Sequence, residues 1–127
     1  MALPQRHRLR GQRVFDALYK RGRAVHGEAM VLRWMPAQDG LMPPSPDQDP
    51  PSAWRCGVVV STKVHKRAVH RNRLRRQLHQ DVLQQLRSCD RPPLWLLISL
   101  KPGSATWESP RLLGECCDLL DKAGLTP

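Results

Sequence analysis

The sequence predicts an α/β fold with its elements in the order helix, two or three strands, basic helix, strand, helix. Short apolar runs bounded by proline and glycine predict buried strands, and they alternate with segments whose apolar residues recur at helical spacing. A chain of 127 residues has the usual size of one domain with one modest core. We therefore expect residues 1–127 to form a single domain, and no internal repeat contradicts this.

The first helix and strand are predicted ahead of residue 36. Apolar residues between Val14 and Tyr19 recur at helical spacing and the run stops at Gly22, so a helix is predicted over about residues 11–21, with Gly22 as its C′ glycine. The segment HGEAMVLRWM, residues 26–35, is consistent with one strand, although its alternation is imperfect.

The next segment has a different composition. Between Pro36 and Pro51 lie six of the twelve prolines, three aspartates and no basic residue, and this composition forms neither a strand ladder nor a helix interior. We predict a solvated loop over about residues 36–53. It is longer than compact domains usually carry, and nothing in the sequence gives it a function.

The second half of the chain reads as strand, helix, strand and helix. The segments WRCGVVVST (54–62) and PLWLLISL (93–100) are typical of buried strands, and between them residues 71–86 favour a helix. For the last helix we predict Ser109 as N-cap, Pro110 as the first helical residue and an end at Gly124.

Charge indicates the class of partner. The chain has 21 Lys and Arg residues against 11 Asp and Glu, a net charge of +10, which implies nucleic acid rather than an anionic membrane surface. No apolar run reaches the roughly 20 residues that span a bilayer, and no secretory signal is recognisable, so we expect a cytoplasmic protein. The four cysteines form no CxxC pair, which argues against structural zinc.

The basic residues concentrate at the start of the second helix. Residues 63–76 hold seven basic and no acidic side chains. At about 100° per residue, Arg71 and Arg75 share the arc of the helix's leucines, and an unpaired buried guanidinium is costly. We therefore predict that only the second half of this helix packs on the sheet and that its first two turns project past the sheet edge.

The same residues predict a bound polyanion. No acid lies within reach of the arginines to form i,i+4 pairs, and cations in the first turns of a helix oppose its macrodipole, so this arrangement needs a compensating partner. Arginine favours bidentate phosphate contacts. Asn72 fits two interpretations equally well, either as a contact to phosphate, ribose or backbone, or as a residue that caps the helix.

The segment KVHKRAVHRNRLRR, residues 63–76, resembles the signature of the bacterial ribonuclease P protein subunit, with its R-N-R block at a helix start. The flanking segments RLRGQRVFDALYKRGR, MVLRW, CGVVVSTK and WLLISLKPG are similar to that family's first helix and strands. The resemblance implies an α+β sandwich with a mostly antiparallel sheet and a left-handed βαβ crossover, against the general handedness rule.

The resemblance also implies that catalysis belongs to an RNA subunit and binding to the protein. In that family the RNA subunit performs the Mg²⁺-dependent removal of the 5′ leader from precursor tRNA, so no catalytic residue is expected in the protein. The protein binds the ribonuclease P RNA and the leader. The residues that match the family's RNA-binding positions are Arg71, Asn72, Arg73, Arg75 and Arg76, with added charge from Lys63, Lys66 and Arg67.

A cleft for the single-stranded leader is implied between the first helix and the sheet. Phe15 and Tyr19 match the family's two aromatic residues there, although residues at this spacing also suit a core stripe. Met30 and Arg33 match two strand positions where the family often has rings, and His79 stands where it often has an arginine. These departures bear on how the leader is stacked.

Three other classes of protein fit parts of the pattern. A ribosomal protein or RNA chaperone shares the basic helix but does not require the R-N-R block to stand between these strands. A helix-turn-helix protein needs a second helix next to the basic one. A nuclease that needs no RNA subunit requires converging carboxylates, whereas His65, His70 and His79 have no carboxylate beside them in sequence.

Overall fold

The computed structural model describes residues 9, 11–37, 54–86 and 94–124. Three α-helices and four strands follow in the predicted order, with three strands ahead of the basic helix. Their bounds are α1 Gln12–Arg21, β1 Arg23–His26, β2 Met30–Pro36, β3 Trp54–Val59, α2 Ala68–Leu86, β4 Leu94–Leu100 and α3 Ser109–Lys122, with a short 3₁₀ turn at Ser104–Thr106.

The strands form one sheet in the order β1-β2-β4-β3. β1 pairs with β2 and β2 with β4 in antiparallel fashion, while β3 and β4 are parallel and are connected through α2. The sheet is therefore mostly antiparallel, and the predicted fold class, a mixed α+β fold with three helices on an open sheet, is confirmed.

The two faces of the sheet carry different helices. On one face Leu96 and Ile98 of β4 pack with buried residues of α2 and α3. On the other face Trp95 and Leu97 pack with Val14 of α1 and its neighbours. Because β4 is buried on both faces, its sequence is apolar at nearly every position, as expected for an inner strand.

The predicted strand over residues 26–35 covers the last residue of β1, a tight hairpin turn and most of β2, and the rest of β1 was not predicted. The Gly27 N–H donates to the Met30 carbonyl at 2.8 Å, and the Glu115 carboxylate of α3 accepts the N–H groups of Glu28 and Ala29. A Cβ at Gly27 would collide with that carboxylate. The hairpin interrupts the strand, which explains the imperfect alternation of the sequence.

Two predicted helix ends and one loop boundary need correction. Gly22 follows α1 in an extended conformation rather than the left-handed one, and glycine is needed there because a Cβ would collide with the Leu18 carbonyl oxygen. The N-cap of α3 is Glu108, since Ser109 already lies in the helix. Pro36 ends β2, paired with Leu94, so the predicted loop begins one residue later, and residues 38–53 lie outside the described part of the chain.

The described cysteines are free thiols. Burial raises the pKa of Cys56 to about 12, so this thiol packs in the core as a small apolar side chain. Within the described residues, no helix is long and apolar enough to cross a membrane.

Asp81 lies half-buried between α2 and α3, next to Cys116. Burial raises the pKa of Asp81, and side-chain hydrogen bonds with Gln85 and Cys116 offset part of this effect. A carboxyl whose pKa is higher in the folded than in the unfolded state stabilises the fold at low pH, and this contribution is lost as the pH rises through the folded pKa. Asp81 therefore stabilises the fold less at pH 7 than at low pH.

We expect the substitution Asp81→Asn to raise the melting temperature at pH 7, because an amide has no charge to desolvate. The difference from the unsubstituted protein should shrink as the pH falls toward 3.8, the ordinary carboxyl value. Thermal melts followed by circular dichroism at a series of pH values measure both effects. The exposed Asp118 of α3 gives a control in Asp118→Asn, and an equal gain there would contradict the explanation by burial.

Candidate nucleic-acid interface

The two halves of α2 have different surroundings, as predicted. Leu78, Val82 and Leu86, all in the second half, are the buried residues of the helix. In the first half Val69 is 72% exposed. The first two turns therefore contribute no buried residue, and of their side chains Leu74 packs partly against the core.

A basic loop, residues 61–67, leads into α2. Its buried residue Val64 anchors it to the core, and Ser61 accepts the backbone N–H groups of Val64 and His65. Three cationic side chains of this loop are exposed: Lys63, Lys66 and Arg67. They lie immediately ahead of the helix, so the loop and the first turns of α2 form one continuous positive surface.

Arg71 holds this loop in place. Its Nη1 donates to the carbonyl oxygens of His65 at 3.0 Å and Lys66 at 2.7 Å. Arg71 shares the angular direction of the buried leucines, and this hydrogen bonding shows how the helix accommodates a guanidinium there. Part of its donor capacity is thereby used within the protein.

Asn72, Arg75 and Arg76 form a second group, the arginine stripe, on one exposed side of α2. Positions i, i+3 and i+4 are neighbours on a helix surface. The Asn72 Oδ1 accepts the Arg75 Nη1 at 2.8 Å, and the Arg76 Nε donates to the Asn72 carbonyl at 3.4 Å. Since α2 begins at Ala68, Asn72 does not cap the helix. It orients Arg75 instead.

Arg73 lies next to Arg76 on the side of the helix away from Arg75. It lies about 100° around the helix from Asn72 and lines a cavity of about 360 Å³ between α2 and the start of α3. The four arginines between Arg71 and Arg76 therefore project in at least three directions, toward the basic loop, the exposed stripe and this cavity.

His65 closes the loop beside the helix start. Its Nδ1 accepts the Arg67 backbone N–H at 3.1 Å, and its ring lies 4.3 Å from the ring of His70. Burial lowers the pKa of His65, as do the nearby charges of His70, Arg67 and Arg71. A neutral imidazole agrees with the accepted hydrogen bond, because Nδ1 must be unprotonated to accept it.

The helix α1 crosses the other face of the sheet. Phe15 lies against Gly57 of β3, where a Cβ would be 3.3 Å from the ring, and Tyr19 lies one turn later. The Arg33 guanidinium of β2 is 4.8 Å from the Tyr19 ring centre. Because Gly57 and Arg33 both pair with Leu97 of β4, this turn of α1 crosses three strands at one level.

Only part of the predicted leader cleft is brought together. Tyr19 is 50% exposed with Arg33 stacked on it, and the half-buried Phe15 packs against the core as a residue of a core stripe does. The prediction for Met30 is wrong. Met30 is fully buried in the core on the opposite face, where its partner in the sheet is Leu100.

Two further residues shape these surfaces and were not singled out by sequence. Gly57 leaves room for Phe15 on the sheet, and a glycine isolated within a strand is the signal that could have indicated this close approach. Trp107 lines the cavity beside Arg73. No local sequence pattern marks this tryptophan, because its position depends on how α3 packs against α2.

Known proteins resemble this chain along its whole length. A family model described as Ribonuclease P matches residues 3–124. The ribonuclease P protein component of Parasynechococcus marenigrum is 50% identical over 126 residues, which cover 98% of this chain and 98% of that protein. The corresponding protein of a Synechococcus species is 47% identical over 130 residues, 99% of this chain and 98% of its own length.

The fold is also that of a solved structure. The RNase P protein of Staphylococcus aureus superposes with a TM-score of 0.75, covering 95% of this chain and 98% of that one. The two sequences are 16% identical, so this likeness is one of fold.

Proposed function

Since this chain belongs to the ribonuclease P family, we propose that it binds ribonuclease P RNA through α2 and the leader of precursor tRNA through the face that carries α1. As a protein component of ribonuclease P, it is a subunit of a ribonucleoprotein endoribonuclease and has an RNA partner. The proposal concerns which surface meets which RNA. The arginine stripe beside the exposed basic loop is the observation that carries it.

The stripe suits a structured RNA for a physical reason. Asn72 holds the Arg75 guanidinium through a single oxygen, at 2.8 Å, and Arg75 and Arg76 are neighbours on one side of the helix. Two oriented guanidinium groups bind successive phosphates at a smaller entropic cost than freely rotating side chains. Lys63, Lys66 and Arg67 are also exposed. Together with Arg75 and Arg76 they can bind the phosphates of an RNA backbone.

The α1 face suits a single strand. Tyr19 presents an exposed ring, and Arg33 stacks on it from the sheet. Bases of single-stranded RNA stack on such rings with little regard to sequence, and an arginine beside them attracts the backbone. In this proposal Met30 has no role in the leader cleft, since its side chain belongs to the core.

We place the Mg²⁺ of the reaction on the RNA subunit. The described residues contain no group of three or more His, Cys, Asp and Glu side chains close enough to share a metal ion. The contribution proposed for the protein is to bind and orient the two RNA molecules.

Replacing Tyr19 with alanine is expected to weaken the binding of precursor tRNA by the reconstituted ribonucleoprotein about tenfold. Loss of one base–aromatic stack costs roughly 1–3 kcal/mol, and the exposed ring contributes little to the core. Dissociation constants for a precursor tRNA and for the same tRNA without a leader measure the effect. Tyr19→Phe is the matched control and should keep wild-type affinity. Equal weakening for both tRNAs would contradict the leader contact.

The subunit assignment is tested by cleavage of a 5′-labelled precursor tRNA. The reaction contains ribonuclease P RNA of Parasynechococcus marenigrum at low Mg²⁺, with and without this protein. We expect the protein to restore cleavage at the mature 5′ end, since added positive charge reduces the repulsion between two polyanions. Binding to the RNA without any change in cleavage would overturn the proposal. So would cleavage by the protein with no RNA subunit present.

A further inference from the structure

We propose that the cavity between α2 and the start of α3 binds one unstacked nucleotide of the RNA that docks on α2. The cavity has a volume of about 360 Å³, at the lower end of the range for small-molecule sites and suited to a single nucleotide. This inference rests on the proposed function, because it assumes that the RNA lies along the first half of α2.

One side of α2 forms one wall of the cavity. His70, Arg73, Leu74 and Gln77 stand at positions i, i+3, i+4 and i+7 and all line it. This wall begins where the arginine stripe ends, so an RNA backbone bound on the stripe runs along the mouth of the cavity. Of the arginines in the R-N-R block, Arg73 is the one that lines it.

Trp107 lines the cavity on the wall opposite α2, with its ring partly buried against the core. Arg111 covers one face of this ring at 3.9 Å, and Arg111 and Trp107 both line a second cavity. A base that enters the cavity beside Arg73 would stack on the part of the Trp107 ring that lines it, as bases do on aromatic side chains in single-stranded RNA recognition.

The backbone of Trp107 is anchored to the preceding turn, and its ring packs partly against the core. Its backbone N–H donates to the Ser104 carbonyl at 3.1 Å, and Ser104 itself is buried. Gly103, with a φ of 93°, allows the turn that precedes them. A ring fixed before binding loses little conformational entropy when a base stacks on it.

Polar groups inside the cavity match the edges of a base and its phosphate. The Ser109 hydroxyl lies 3.4 Å from the Gln77 Oε1, so a hydroxyl and an amide stand together beside the ring. Both can donate and accept hydrogen bonds, as the edge of a base requires. Arg73 supplies a positive charge for the phosphate, and Leu74 and Ala105 supply apolar surface. Glu108 also lines the cavity, and its carboxylate disfavours a simple anion, so the combination of ring, amide and guanidinium favours a nucleotide.

The test uses the full-length protein and ribonuclease P RNA of Parasynechococcus marenigrum. Dissociation constants are measured at several salt concentrations for Trp107→Ala, Gln77→Ala and the control Trp107→Phe. We expect Trp107→Ala to bind about tenfold more weakly with an unchanged salt dependence, because a stack involves no phosphate. Gln77→Ala, a helix-favouring change at a half-buried site, should weaken binding less, and Trp107→Phe should bind as the wild type does.

The double variant Arg75→Ala, Arg76→Ala separates the docking of RNA on α2 from the binding of a nucleotide in the cavity. If it loses affinity while both Trp107→Ala and Gln77→Ala bind as the wild type does, the cavity takes no nucleotide and the inference is overturned, while the proposed docking on α2 stands. If none of these variants loses affinity, the docking and the inference both fail. If Trp107→Phe weakens binding as much as Trp107→Ala, the ring does not act by stacking and the inference is again overturned.

Discussion

Replacing Arg75 and Arg76 together with alanine is expected to raise the dissociation constant for ribonuclease P RNA about a hundredfold or more. Hydrogen bonds to charged groups contribute roughly 1.5–3 kcal/mol each, and two lost guanidinium–phosphate contacts therefore remove about 3 kcal/mol or more. The two side chains hydrogen bond to Asn72 on the helix surface and make no contribution to the buried core. Binding should weaken without a loss of folding.

Salt dependence gives this prediction a second readout. Each phosphate contact releases counterions, so the logarithm of the association constant falls linearly with the logarithm of the salt concentration. Each lost contact reduces the slope of this line by about 1. The double variant should therefore have a slope smaller by about 2. A loss of affinity with an unchanged slope would mean that the arginines act on the protein conformation and do not touch phosphates.

A control that removes the same charge elsewhere is available at the other edge of the sheet. Arg23 of β1 and Lys122 of α3 are exposed, and β1 lies at the edge opposite β3. The variant Arg23→Ala, Lys122→Ala lowers the net charge by the same amount, two units, and should change the affinity several-fold less. Equal weakening by both double variants would indicate diffuse attraction to RNA and would contradict a defined stripe on α2.

The direction of the arginines was in part predictable from sequence. Helical spacing placed Arg71 and Arg75 on the arc of the leucines, and from this conflict followed the prediction that the first two turns of α2 do not pack on the sheet. How the helix accommodates the Arg71 guanidinium was not predictable, because this group donates hydrogen bonds to carbonyl oxygens of the preceding loop. Where a loop folds back depends on tertiary packing, here on the buried Val64.

The error at Met30 has a physical origin in strand register. The segment MVLRWM is apolar on both faces, so the sequence did not decide which residues face α1. Pairing with β4 decides it, since Met30 stands opposite Leu100 and both belong to the core beneath α2 and α3. At the start of β2 the first residue that faces α1 is Val31. Arg33 faces α1 as well, because alternate residues of a strand lie on the same face of the sheet.

Replacing Leu78 with alanine is expected to destabilise the fold by about 3 kcal/mol and to lower the melting temperature by roughly 10 °C. Leu78 has no exposed surface and begins the half of α2 that packs on the sheet. A leucine deleted from such a site leaves a cavity that its neighbours fill only in part. Leu74, one turn earlier, is only half-buried and lines the open cavity. Leu74→Ala should therefore cost less than half as much.

Binding of RNA separates this effect from that of the arginines. A ligand that binds only the folded state stabilises it by about 2.7 kcal/mol at a hundred times its dissociation constant, so saturating RNA should restore most of the melting temperature of Leu78→Ala. The arginine double variant should melt near the wild-type temperature without RNA and gain little when RNA is added. If Leu74→Ala were as destabilising as Leu78→Ala, the first turns of α2 would belong to the core, and their arginines would not be free to meet an RNA.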